Sequence, residues 1–162
     1  CFSTDIFLLS TNVLRLRKLG PEVTRRDLMT ALPYDNEIFE ISLSGKKLKD
    51  MLRHMYRKEA WEGANVFFIL SGTVKLTVRR EDKEILSMEY RGGQPDEERM
   101  YTVGINTYAY RNMEEFLGIT AGSGDGRVSV RRLCTNDKEE LELFFKNRDH
   151  FTLKDEGRLT LV

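Results

Sequence analysis

The sequence predicts an α+β fold, with mixed β-sheets and helices packed outside them. Three observations carry that reading. About seven or eight short segments alternate apolar and polar residues or run continuously apolar, as strands do. Two segments carry an amphipathic helical stripe with a capping residue ahead of it. No internal repeat, low-complexity tract or linker divides the chain, and 162 residues suit one domain, residues 1–162, with a proper core.

The elements follow in order. Asp5 to Ser10 is a continuous apolar run and reads as a buried strand. Thr11 to Val23 is a loop with three cations and a Gly-Pro break. Thr24 is a good N-cap with Asp27 three residues on, close to a capping box, and Leu28, Ala31 and Leu32 fall at helical spacing. Pro33 stops that helix, because the residue before a proline is pushed out of the α region. The Pro-Tyr-Asp-Asn corner then presents Tyr34 and Asn36 on a tight turn held from both sides.

Glu37 to Leu43 alternates as a strand with one buried face. Ser44 caps the next helix, whose stripe is Leu48, Met51, Leu52 and Met55; Lys46, Lys47, Lys49 and Arg53 lie off it on a solvated face. Glu59 to Asn65 links to Val66 to Leu70, a core strand, and Ser71-Gly72 is a turn or bulge. Thr73 to Arg79, Ile85 to Tyr90 and Tyr101 to Asn106 are further strands, separated by Asp82-Lys83 and the Arg91-to-Pro95 turn cluster. Asn112 to Leu117 fits one helical turn, and Gly122 to Gly126 a flexible loop. Arg127 to Leu133 alternates again. Asn136 or Asp137 caps a helix with Leu141, Phe144 and Phe145 on its inner face, and Gly157 to Val162 is a last strand.

Composition narrows the function classes. Lys plus Arg and Asp plus Glu each number 26, for zero formal net charge, which argues against a bulk electrostatic binder of a nucleic-acid polymer. Arg15, Arg17, Lys18, Arg25 and Arg26 cluster in sequence, and read from the residues alone they form a charged surface loop. No run is long enough to span a bilayer, and no signal-peptide pattern is present. The chain begins without Met in what looks like the run-in to a buried strand, so it reads as a fragment of a longer protein. Cys1 and Cys134 do not define a redox compartment. With His54 and His150 as the two histidines and no clustered cysteines, a metal site is not expected within the chain. No nucleophile elbow, P-loop or acid–base constellation appears, which points to binding rather than catalysis.

An ordered set of motifs goes further. DIFLLSTNVLR, PEVTRRDL, ALPYDN, ISLSGKKLKDML, FILSG, DEERMYTVGINTY and EGRLT succeed one another from about Asp5 to the C-terminus. In this order they resemble the C-terminal, substrate-recognition domain of 5′-nucleotidases. The resemblance implies a layered α/β/β/α-type arrangement that lacks the family's first helix. It also implies a preceding metallophosphoesterase domain, which holds a divalent metal pair and hydrolyses the phosphate ester. The C-terminal domain of that family has no metal or other cofactor of its own; it sandwiches the base of a nucleoside or nucleotide between two aromatic rings. For location, the resemblance suggests a secreted, periplasmic or cell-surface protein.

Residue by residue, the resemblance makes Tyr34 the first stacking aromatic and Tyr108 the second, with Arg15 and Asn36 as polar partners of the ligand. Base–aromatic stacking is worth roughly 1–3 kcal/mol per base. For the acid that contacts the ribose, it points to Glu114, with Phe116 matching the aromatic that follows; Asp125 is the alternative. Without the resemblance, Tyr34 and Tyr108 read as core-edge aromatics and Arg15 as a solvated charge. Two departures stand out. The family's three glycines before the arginine are Thr11, Asn12 and Val13 here, and glycine would have let backbone approach a ligand closely. The glycines of its second loop are also replaced. These losses define the competing expectation, a non-catalytic binding or structural module on the same scaffold with a degenerate nucleotide site.

Overall fold

The computed structural model describes residues 3–16, 18–62, 66–120, 128–134, 136–147, 152 and 156–162. Cys1, Arg17, the 122–126 loop with Asp125, and His150 lie outside the described residues. The larger sheet is built on β1 (Ile6–Ser10) and β6 (Met100–Asn106), which run parallel side by side at its centre. β3 (Phe68–Leu70) pairs antiparallel with β1 on one side. β2 (Ile38–Ser44) pairs antiparallel with β6 on the other, and β7 (Ser129–Cys134) closes that edge against β2. The order is therefore β3-β1-β6-β2-β7. A second sheet has β4 (Val74–Val78) at its centre, with β5 (Ile85–Tyr90) antiparallel and β8 (Leu159–Leu161) parallel to it. This is the mixed-sheet α+β architecture that the periodicity indicated.

The helix signals act as local chemistry requires. Thr24 and Asp27 form a full capping box, and α1 (Arg25–Ala31) ends two residues before Pro33. Ser44 accepts from the Lys47 N–H and opens α2 (Gly45–Met55). Gly45 is required there: a Cβ would lie 1.8 Å from the Asp96 carbonyl oxygen. The predicted stripe of Leu48, Met51, Leu52 and Met55 is buried, and it joins Ile6, Leu8, Ile41, Leu43 and the β4 residues in one core. Tyr56, just past α2, is buried and donates from its hydroxyl to the Phe68 carbonyl at 2.7 Å; burial pushes its pKa up.

Two short helices were not expected. α3 (Lys58–Trp61) overlaps the start of the stretch read as a link. α4 (Thr107–Arg111) begins where β6 ends, because Asn106 leaves the strand and accepts from the Ala109 N–H at 2.9 Å. α5 (Met113–Leu117) follows and stops at Gly118, whose φ of 66° suits glycine. In α6 (Asp137–Lys146), Leu141, Phe144 and Phe145 are half-buried. The helix lies over the outer face of the large sheet, where Leu141 and Phe144 line an apolar cavity of about 280 Å³ with Phe7, Leu9 and Ile38.

Asp5 clasps the two sheets. Its carboxylate accepts from the Tyr90 hydroxyl at 2.6 Å, the Thr102 N–H at 2.9 Å and hydroxyl at 3.1 Å, and Arg99 at 2.9 Å. Burial alone would raise the Asp5 carboxyl, but these hydrogen bonds and the Arg99 charge outweigh it and hold the pKa below the usual range.

Candidate functional site

Three segments far apart in sequence, two loops and a short helix, converge at the end of the large sheet. The first follows β1, where a short 3-10 turn (Thr11–Val13) leads into Arg15. Ser10 caps this turn by accepting from the Asn12 N–H. The Arg15 backbone N–H donates to the Ala31 carbonyl at 2.8 Å, so the loop is laid against the end of α1. The second is the Tyr34-Asp35-Asn36 corner between α1 and β2. The third is α4.

Together they enclose a cleft of about 520 Å³. Asn12, Val13 and Arg15 line one wall, Tyr34, Asp35 and Asn36 another, and Thr107, Tyr108 and Arg111 the third. The size falls within the range of small-molecule pockets.

The aromatic rings at the cleft are open to solvent. Tyr34 is 44% exposed and Tyr108 42%, so neither is a core aromatic. Tyr108 is braced from behind by Phe116, with ring centroids 5.5 Å apart. The Arg15 guanidinium donates to the Tyr34 hydroxyl, and its carbon lies 5.2 Å from the ring centroid.

Asn36 is 7% exposed and held by main chain. Its N–H donates to Asp137 Oδ1 at 3.2 Å, and its carbonyl accepts from the Asp137 N–H at 2.8 Å. Burial raises the Asp137 carboxyl above its usual pKa, against the lowering effect of the bonds from Asn36. Asp35 faces the cleft and is paired with Lys138 Nζ at 2.7 Å. Glu37 N–H donates to the Thr107 hydroxyl at 2.9 Å, which ties the second and third segments together.

Four of the five residues singled out from sequence, namely Arg15, Tyr34, Asn36 and Tyr108, thus line one cleft. Glu114 does not line it. Met113, Phe116 and Leu117 turn inward from α5, and that spacing leaves Glu114 on the outward face. Arg111 was missed. Its signal was its position three residues after Tyr108, which becomes informative only once Thr107–Arg111 is known to be helical. Val13 is buried yet lines the wall, so the cleft is bounded by a side chain where glycine would leave bare backbone. Among the described residues, no group of three or more His, Cys, Asp or Glu side chains is placed to hold a metal ion. No helix among them is long and apolar enough to cross a membrane.

Fold and cleft define an α+β domain with an aromatic-lined cleft built from two loops and a short helix. Residues 2–119 match the family described as the 5′-nucleotidase C-terminal domain, and the chain belongs to that family. Its fold is similar to that of a 5′-nucleotidase precursor from Thermus thermophilus, with a TM-score of 0.79 and 20% identity over 98% of this chain and 32% of that one. It is also similar to an NAD nucleotidase from Haemophilus influenzae, with a TM-score of 0.76 and 19% identity over 99% of this chain and 30% of that one. A sulfate thiohydrolase from Thermus thermophilus shares the fold at a TM-score of 0.64 and 11% identity, over 98% of this chain and 29% of that one. The chain thus spans about a third of the length of these structures. A comparison with curated proteins gives no match.

Proposed function

We propose that this domain recognises the nucleoside part of a nucleotide for a 5′-nucleotidase-type phosphoester hydrolase, and is not itself catalytic. The observation that carries the reading is the placement of Tyr34, on the corner after α1, and Tyr108, on α4, two solvent-open rings at one cleft with Arg15 and Asn36. A base held against such rings gains stacking energy without needing a particular edge, and neighbouring polar groups then orient the base and sugar. The catalytic partner is a metallophosphoesterase domain ahead of this one, where a divalent metal pair would supply Lewis-acid activation of the phosphate ester.

Calorimetric titration of the chain with adenosine and AMP tests this, with Tyr34→Ala as control. Saturable heat whose affinity the substitution weakens supports the reading. A folded chain that gives no heat at millimolar ligand sinks it.

Val13 favours a second reading, a binding or structural module whose nucleotide site has degenerated. Its side chain bounds the cleft at the place where close backbone approach would need glycine. The same titration separates the two.

A further inference from the structure

The cleft carries cationic charge that no carboxylate among the described residues offsets. Most other arginines of the described residues are paired with acids, as Arg25 is with Glu142, Arg99 with Asp5, Arg131 with Glu40 and Arg132 with Glu37. At the cleft the pattern differs. Arg15 bonds the Tyr34 hydroxyl, a neutral group. Arg111 is exposed and has no carboxylate within ion-pair distance among the described residues. Asp35 is the only carboxylate lining the cleft among the described residues, and it is already engaged by Lys138. In a chain of zero formal net charge, this is a local imbalance that a ligand would meet.

The position of Arg111 says which part of the ligand it meets. Tyr108 and Arg111 stand three residues apart on α4, so both side chains leave the same helix face, with Cβ atoms roughly 5–6 Å apart. A base stacked on Tyr108 therefore brings its rim to Arg111. A guanidinium offers five donors and no acceptor, in a planar fork. The purine edge that matches it has two adjacent acceptors. Guanine and hypoxanthine present O6 and N7 there, whereas adenine places its N6 amino donor beside N7.

Resting on the proposed nucleotide-recognition reading, we infer that Arg111 is a specificity-determining residue that reads the O6/N7 edge of a 6-keto purine, so that the cleft prefers guanine-type nucleotides over adenine-type ones. A good bidentate contact of this kind discriminates by roughly tenfold.

The test is calorimetric titration of the 162-residue chain with GMP, IMP and AMP, repeated on Arg111→Ala and Arg111→Lys. The expected result is that GMP and IMP bind roughly tenfold more tightly than AMP. IMP shares O6 and N7 with GMP but lacks its 2-amino group, so its agreement with GMP locates the contact on the O6/N7 edge. Arg111→Ala should bring all three to similar affinity, with GMP and IMP losing more than AMP. Arg111→Lys, which keeps the charge but not the fork, should restore only part of the preference. Equal affinities in the unaltered chain would overturn the inference while leaving nucleotide recognition standing. So would an equal loss for all three ligands in Arg111→Ala, which would place Arg111 at the phosphate. If none of the three binds, nucleotide recognition fails and the inference with it.

Discussion

Arg15 donates from its guanidinium to the Tyr34 hydroxyl while its backbone N–H donates to the Ala31 carbonyl at 2.8 Å. One residue thereby joins the loop after β1 to both ends of the segment running from α1 to the aromatic corner. A charge that sequence alone assigns to a solvated loop is instead a strut of the cleft, and Tyr34 is oriented by it.

Removing that strut and removing the ring should differ in effect. Tyr34→Phe keeps the stacking face and loses one exposed hydrogen bond, worth roughly 0.5–1.5 kcal/mol at most. Tyr34→Ala loses the face as well. AMP affinity by calorimetry should therefore fall in the order wild type, Tyr34→Phe, Tyr34→Ala. If the Phe variant is as weak as the Ala variant, the hydroxyl rather than the ring carries the binding.

Tyr34→Ala and Tyr108→Ala should each weaken AMP binding by roughly 5- to 150-fold, the equivalent of one lost stack. Both rings are more than 40% exposed, so thermal stability should change little. Circular-dichroism melts alongside the titrations check this. Unfolding of both variants would mean that the rings are structural and that the site assignment is wrong.

Asn106 links folding to the site. Its side chain caps α4 and so sets where Tyr108 and Arg111 emerge, while its own Nδ2 is buried without a partner among the described residues. Asn106→Ala should cost about 1 kcal/mol in chemical denaturation, as a lost helix cap does. It should also weaken AMP binding although Asn106 does not line the cleft. A stability loss with unchanged binding would show that α4 holds its place without the cap.

The Asp5 clasp predicts acid sensitivity. Its folded pKa is lowered from 3.8, so its contribution is present above that unfolded value and is lost as pH falls below it, through the folded pKa. Stability measured from pH 5 down should drop below about pH 4. Asp5→Asn should be less stable at pH 7 by roughly 1–3 kcal/mol, because charge-assisted bonds from Tyr90, Thr102 and Arg99 are weakened. It should also show a shallower loss below about pH 4. A parallel pH profile in the two proteins would place the acid-labile group elsewhere.

The chain alone should hydrolyse no nucleotide. Phosphate release from AMP with added magnesium, manganese or zinc should stay at background. Turnover that copurifies with the chain and is lost in Tyr34→Ala would contradict a purely recognitive role.

Much of the fold was legible in local chemistry. Thr24 with Asp27, Ser44 and Asn136 mark helix starts through bonds that span two or three residues, so sequence suffices to find them. The stripe of α2 and the alternation of β2 and β4 show which faces are buried for the same reason. Tyr34, Tyr108, Arg15 and Asn36 were reached through ordered motifs rather than through any physical signal at those residues.

What local patterns lack is the partner of each strand. β6 lies between β1 and β2, both of which come far earlier in the chain, and that insertion depends on matching buried faces over the whole sheet. The cleft is a product of this pairing, since it brings residues 12–15, 34–36 and 107–111 to one end of the sheet. Arg111 became visible only there, because its meaning depends on α4 and on the walls opposite it. Glu114 lies outside the cleft for a related reason: three inward apolar residues of α5 decide which way an acid among them must face. Local residue chemistry thus specified most of the elements and their buried faces, while the ordered motifs carried the family resemblance. Long-range strand pairing decided which side chains share a cavity, because a cavity is made by surfaces that no single stretch of chain contains.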